Sequence, residues 1–134
     1  HHSFTYSLIP HAGDWREGEV VRRAMELNVP LLARTSKKGK GTLSAVHSWV
    51  QCDAPNVVIE ALKKAEKGKE LILRLYESQG SRGIANISFG FPVEKAWECN
   101  LMEEGDKPLR VARNSVRLEV SPFEIRTVKL RVGV

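Results

Sequence analysis

Residues 56–77, NVVIEALKKAEKGKELILRLYE, contain two ordered segments on either side of a charged turn at residues 66–69. In residues 71–77 leucines alternate with other residues, which is the period of a half-buried strand. Residues 57–64 allow two interpretations. Their apolar residues fall on one face of a helix, whereas a tight turn leading directly into a strand favours a β-hairpin. Periodicity alone favours the helix, and the two interpretations predict different folds.

The rest of the chain is dominated by strand-like alternation. Beyond residues 56–77, alternation predicts strands at residues 4–10, 43–52, 83–89, 95–101, 115–120 and 123–132. Short turn signals separate most of these segments. Seven or eight strands joined in this way predict an all-β fold, an antiparallel β-sandwich, in a single domain over residues 4–134.

One helix is predicted near the start of the chain, at about residues 15–27. Asp14 and Glu17 have the spacing of a capping box, and Pro30 follows the last apolar position. Residues 1–3, His-His-Ser, are expected to be the remnant of a purification tag or cloning boundary.

The composition excludes several classes of protein. The chain has 134 residues, of which 42% are hydrophobic and 28% charged, as in an ordinary globular domain. No apolar run approaches the roughly 20 residues that span a bilayer, so no membrane association is expected. The net charge of +5 comes from scattered basic residues, so no nucleic-acid binding is expected.

No motif for catalysis or metal binding is present. The chain lacks a Walker loop, a Gly-x-Ser-x-Gly elbow and a His-Glu-x-x-His helix. Cys52 and Cys99 do not form a Cys-x-x-Cys pair, so a zinc site is not expected, and whether they form a disulfide stays open. We therefore assign no catalytic residue, no metal ligand and no cofactor to this chain.

Two small groups are candidate contacts. His11, Asp14 and Trp15 combine a carboxylate with an aromatic ring, which is typical of saccharide binding, although we favour a structural role in which Asp14 caps the helix. Glu77 and Arg82 could form a polar site at a strand end, but such pairs are more often surface ion pairs of small energetic value.

Several stretches together resemble the C-terminal β-domain of family 38 α-mannosidases. They are FTYSLIPHAGDW at residues 4–15, AMELNVPL at 24–31, residues 57–64 leading into ILRLYE at 72–77, AWECNLME at 96–103 and PFEIRTVKL at 122–130. Their order and spacing cover nearly the whole chain.

The resemblance implies that residues 57–64 form a strand, against their own periodicity. It also implies a parent glycosidase that cleaves terminal α-mannosides with retention, using zinc and a carboxylate nucleophile. Those groups belong to an N-terminal catalytic domain, and nothing in this chain matches them. We therefore expect this chain alone to be inactive, with zinc in the parent's catalytic domain.

Three roles for such a domain follow, in order of preference. The domain packs against the catalytic domain of the same polypeptide; or the loop at residues 78–83 contacts the bound sugar; or the domain is an independent carbohydrate-binding module for α-mannosides. The candidate sugar or interdomain contacts are His11, Asp14, Trp15, Tyr76, Glu77 and Arg82. We also expect a cytoplasmic location and consider a homo-oligomeric parent.

Overall fold

The computed structural model describes residues 1–37 and 39–133. The chain divides into two compact units, residues 1–39 and residues 40–134. The first unit contains the helix, and the second contains every strand of the described chain. The strands lie within residues 50–132 and so cover only part of the predicted domain. That residues 4–134 form a single domain stays a prediction.

The first unit differs from the sequence prediction at two places. The helix α1 spans Val20–Asn28 and begins five residues later than predicted, because Glu19 has a left-handed backbone (φ 50) that separates it from the preceding turn. The prediction of a strand at residues 4–10 is wrong. These residues are irregular, since alternation makes a strand only where a neighbouring strand completes its hydrogen bonds.

The second unit is an antiparallel β-sandwich, as the sequence predicts. Its strands are β1 (Val50–Cys52), β2 (Val57–Lys64), β3 (Leu71–Glu77), β4 (Gly83–Phe89), β5 (Val93–Cys99), β6 (Lys107–Leu109), β7 (Val111–Ala112), β8 (Ser115–Val120) and β9 (Ile125–Val132). Sheet A has the order β1-β4-β8-β7, and sheet B has the order β2-β3-β9-β5-β6. The chain crosses from sheet B to sheet A between β6 and β7.

Strand β2 settles the ambiguity of residues 57–64 and explains it. It pairs with β3 as a hairpin, with a register shift between Ile59 and Ala61. This β-bulge resets the alternation, so Val58 and Ala61, three residues apart, lie opposite Tyr76 and Arg74 on one face of the sheet. A spacing of three on one face imitates a helix, which is why periodicity alone misleads here.

The core lies between the two sheets. Sheet A contributes alternate residues of β4 and β8, and sheet B contributes alternate residues of β3, β5 and β9. Fully buried members are Leu73, Leu75, Ile87, Val116, Leu118, Val128 and Leu130. Burying each such side chain stabilises the fold by about 1.5–3 kcal/mol, so this interface supplies the main stabilisation of the sandwich.

A short loop after β5 is fastened across the outer face of sheet B. Asn100 Oδ1 accepts hydrogen bonds from the backbone N–H groups of Met102 and Glu104, both at 2.9 Å. Glu103 pairs with Lys63 at 2.7 Å. Asn100 thus holds the loop through its side-chain carbonyl oxygen.

Short strands account for most of the remaining differences from the sequence prediction. Only residues 50–52 of the predicted strand 43–52 are a strand, and β5 lies at residues 93–99 instead of 95–101. Strands β6 and β7 were not predicted, since they have three and two residues and β6 contains Pro108. Proline is tolerated there because β6 is an edge strand.

Candidate functional site

The Glu77 side chain, at the end of β3, is the centre of the densest polar network in the sandwich. The residue is only 1% exposed although its carboxylate is charged. The carboxylate oxygens accept bonds from Asn56 Nδ2 (2.9 Å), Gln79 N (2.9 Å), Gly80 N (2.8 Å), Ser81 Oγ (3.1 Å) and Phe123 N (2.9 Å). One buried carboxylate therefore joins three chain segments that are distant in sequence.

The hydrogen bonds decide the charge state of Glu77. Burial raises the pKa of this carboxyl, but donors led by the Phe123 N–H and the Asn56 amide outweigh it and lower the pKa to about 2. The group is therefore ionised at neutral pH, with every charge-bearing oxygen bonded. Its chemistry is that of a structural anion, because its lone pairs are already occupied.

The turn that Glu77 holds has a strained backbone. Phe123 has a φ of 57, which is uncommon for a bulky residue. Gly80 has a φ of 73, and a Cβ added there would lie 2.8 Å from Phe123 Cζ. Glycine is therefore required at residue 80, both for its backbone and for the close approach of the ring.

Tyr76 and Arg82 do not join this network. Tyr76 lies opposite Ile125 on the outer face of sheet B, because successive residues of a strand point to opposite faces. Burial raises the pKa of Tyr76, and the Glu60 carboxylate adds to the increase. Arg82 Nη1 donates to Ser121 Oγ at 3.4 Å, so the structure gives Glu77 and Arg82 different partners.

His11, Asp14 and Trp15 lie close together in the first unit, before α1. Asp14 Oδ1 accepts from the backbone N–H of Glu17 (3.1 Å), and Glu17 Oε2 accepts from the N–H of Asp14 (3.1 Å), which is a capping box. The backbone N–H groups of Glu17 and Arg16 lower the pKa of Asp14. These bonds close the turn at residues 15–19 and not the helix: the N-cap of α1 is Glu19, which has no side-chain cap bond, so the prediction that Asp14 caps the helix is wrong.

The two aromatic rings of that group have separate contacts. The His11 ring packs against Gly18 so closely that a Cβ there would overlap it. Trp15, which is 37% exposed, has the Arg16 guanidinium 4.5 Å from its ring centroid. This cation–π contact occupies one surface of the ring.

A cleft lined by several charged side chains lies beside β8, next to the first residue of β7. It has a volume of about 630 Å³ and is lined by both sheets. Its charged lining residues are Glu98, Lys107, Arg110, Arg117, Glu119 and Arg126. Sequence reasoning did not find this site, because its members come from four strands and the crossover between the sheets. The only signal in the sequence was an alternation of charged and apolar residues in β8.

The sandwich matches a known protein family. A family model described as the glycosyl hydrolases family 38 C-terminal beta sandwich domain matches residues 56–128. The chain belongs to this family. The matched range begins at Asn56 and includes Glu77 with all five of its donors. The resemblance noted in the sequence is confirmed.

Curated relatives of this family 38 chain are α-mannosidases by name. Alpha-mannosidase 2C1 of Mus musculus is 37% identical and that of Homo sapiens 35% identical, each over 134 residues and 96% of this chain. Alpha-mannosidase G of Dictyostelium discoideum is 26% identical over 132 residues. The chain spans 13% of the length of the mouse and human proteins.

The described part of this family 38 domain contains neither a metal-binding cluster nor a membrane-spanning helix. Among those residues, no three His, Cys, Asp or Glu side chains converge to hold a metal ion, so no zinc ligand is assigned. No helix there has the length and apolar character needed to cross a bilayer. Burial raises the pKa of the Cys99 thiol.

Proposed function

We propose that this family 38 domain is an accessory module of an α-mannosidase, which packs against and supports the catalytic part of the same polypeptide. The names of its relatives and its 13% share of their length support this proposal. Hydrolysis of terminal α-mannosides, with its zinc ion and carboxylate nucleophile, would then belong to the catalytic part, and this chain alone would be inactive. A cytoplasmic location and a homo-oligomeric parent remain part of the proposal.

The observation that carries the proposal is the absence of buried residues in the first unit. None of the described residues among 1–39 is buried, although many are large and apolar. Leu31 and Leu32 are 101% and 88% exposed, and Phe4 and Leu8 are 82% and 88% exposed. Exposed apolar surface of this extent marks a site of protein contact. We infer that these side chains are covered by the catalytic part of the parent.

Replacing Leu31 and Leu32 together with serine is expected to leave the isolated chain unchanged and to destabilise the parent enzyme. Two leucines buried at an interface would contribute about 3–6 kcal/mol, which the double variant removes. Thermal unfolding of the two proteins, the isolated chain and the complete enzyme, measures both effects. The activity of the parent after heating serves as a second readout.

The matched control changes Thr35 and Ser36, which lie in the same segment, to alanine. This pair should leave both proteins unchanged because neither residue offers a large apolar surface. A parent enzyme that tolerates both double variants equally would contradict the proposed contact, whatever the isolated chain does.

A second candidate function, direct carbohydrate binding, is favoured by one observation. Trp49 is 50% exposed and lies in an aromatic cluster, with the His47 ring 4.5 Å and the Phe91 ring 6.4 Å from it between centroids. A supported, half-exposed indole is a suitable surface for a sugar ring to stack on.

Titration with methyl α-mannoside, followed by tryptophan fluorescence, separates the two candidates. Saturable quenching at millimolar sugar that is lost in Trp49→Ala would favour carbohydrate binding. Unchanged fluorescence would leave the supporting role as the better proposal. Trp97, whose ring has the Arg131 guanidinium 5.2 Å from its centroid, is the control position, and Trp97→Phe should not alter the response.

A further inference from the structure

We propose that the cleft beside β8 binds a small oxyanion, a carboxylate or phosphate group, between Arg110 and Arg117. This site is independent of the proposed contact with a catalytic domain. It rests on the register of one hairpin, on the charges around the cleft and on the ion pairs of Glu98 with Lys107 and Arg126.

The β7–β8 hairpin brings the two arginines to the same end of a short ladder. Its turn residues Arg113 and Asn114 both have left-handed backbones (φ 48 and 59), which is the conformation of a two-residue type I′ turn. Ala112 pairs with Ser115, and Val111 pairs with Val116. Arg110 directly precedes β7, so one further step in this register would set it opposite Arg117, where Cβ atoms of facing residues are about 5 Å apart, and both arginines line the cleft.

Two like charges in facing positions are unfavourable unless an anion lies near them. Among the described residues neither Arg110 nor Arg117 has an ion pair or a side-chain hydrogen bond. Glu119 lines the same cleft, and no ion pair links it to a described residue either. The cleft is therefore lined by two arginines that no described carboxylate neutralises.

The Glu98 carboxylate, which also lines the cleft, forms ion pairs with two cations, although its Oε2 atom accepts no hydrogen bond from a described residue. Glu98 Oε1 pairs with Arg126 Nη2 at 2.9 Å, and Glu98 Oε2 lies 3.5 Å from Lys107 Nζ. Arg126 also donates through Nη1 to the carbonyl oxygen of Glu119 at 3.0 Å, beyond the end of β7. Four cations thus face two carboxylates around the cleft, and the excess positive charge lies at the two facing arginines.

The chemistry of the ligand follows from these groups. Guanidinium groups bind carboxylate and phosphate oxygens through paired N–H donors, with shorter and stronger bonds than neutral donors make. A cleft of about 630 Å³ falls in the range of small-molecule sites and exceeds the size of one phosphate. The oxyanion can therefore be free or can belong to a larger small molecule.

Inorganic phosphate is the first probe, with sodium chloride replaced by sodium phosphate at constant ionic strength. Binding to the folded state should raise the melting temperature of the chain by about 3 °C or more at saturating phosphate. The double variant Arg110→Gln/Arg117→Gln should lose this shift and bind phosphate at least about tenfold more weakly. Without phosphate its melting temperature should equal or exceed that of the wild type, because the like charges are gone.

The matched control is Arg113→Gln, an exposed arginine of the same hairpin that does not line the cleft. It should keep the full phosphate shift. Acetate and a sugar phosphate in parallel titrations distinguish the source of the oxyanion, and amide chemical shifts of residues 110–117 report its position. The proposal is overturned if phosphate shifts none of the three proteins, or shifts all three equally.

Discussion

Replacing Glu77 with glutamine is expected to lower the free energy of unfolding by about 3 kcal/mol or more. The carboxylate accepts five hydrogen bonds while only 1% exposed. An amide of the same shape keeps one acceptor oxygen and presents an N–H₂ group to donors, so several buried N–H groups lose their partners. Urea unfolding monitored by tryptophan fluorescence measures the change.

Glu104→Gln is the control for this substitution. Glu104 is exposed on the loop after β5, and its variant should stay within about 0.5 kcal/mol of the wild type. A Glu77→Gln protein that unfolds within about 1 kcal/mol of the wild type would show that the network contributes little to stability.

The same carboxylate makes the fold sensitive to acid in a defined range. Its pKa falls from an ordinary 4.5 to about 2 on folding. As the pH is lowered, Glu77 is therefore protonated in the unfolded chain before it is protonated in the folded chain. The stabilisation is complete above about pH 5.5 and is lost as the pH falls through 4.5 towards 2, to a total of about 3 kcal/mol. The difference in unfolding free energy between wild type and Glu77→Gln should therefore shrink between pH 6 and pH 3. A constant difference would contradict the assignment.

Replacing Asn114 with aspartate is expected to cost about 3 kcal/mol. Asn114 Nδ2 donates to the carbonyl oxygens of Phe89 and Phe91, both at 2.6 Å, and its Oδ1 accepts from the N–H of Val93 at 2.8 Å. Aspartate keeps the last bond but places a carboxylate oxygen against two carbonyl oxygens. The loss is measured by the same urea unfolding at neutral pH.

Asn100→Asp is the matched control. It makes the same chemical change at a site where the side chain accepts hydrogen bonds and does not need to donate them. Toward the described residues, the Asn100 side chain uses only Oδ1, which accepts from the N–H groups of Met102 and Glu104, so an aspartate preserves both bonds. We expect a change within about 0.5 kcal/mol. Equal effects at residues 100 and 114 would show that the amide donors of Asn114 are unimportant.

Much of the sandwich could be predicted from local pattern, and the exceptions have local causes. Strands such as β3 and β4 keep unbroken alternation, so their bounds follow from the sequence. Strand β2 contains a bulge that gives a three-residue spacing on one face, and only the family resemblance identified it as a strand. Residues 4–10 alternate equally well but have no neighbouring strand in the described chain, and no local pattern reveals that.

The candidate sites were harder to predict because they depend on distant pairings. Glu77 was a candidate from its place at a strand end, but its donors lie 21 and 46 residues away at Asn56 and Phe123. A sequence offers no sign that such residues meet. The facing arginines of the cleft depend on a two-residue strand too short to be predicted, so the site appears only once the hairpin register is known.

The order of sheet B has a consequence for synthesis of the chain. Strand β9, Ile125–Val132, lies between β3 and β5, so the two hairpins made earlier cannot join until it emerges from the ribosome. Until then β3 and β5 each expose an unpaired edge, which is a template for association with other chains. The nascent chain therefore depends on late closure of this sheet by a single strand.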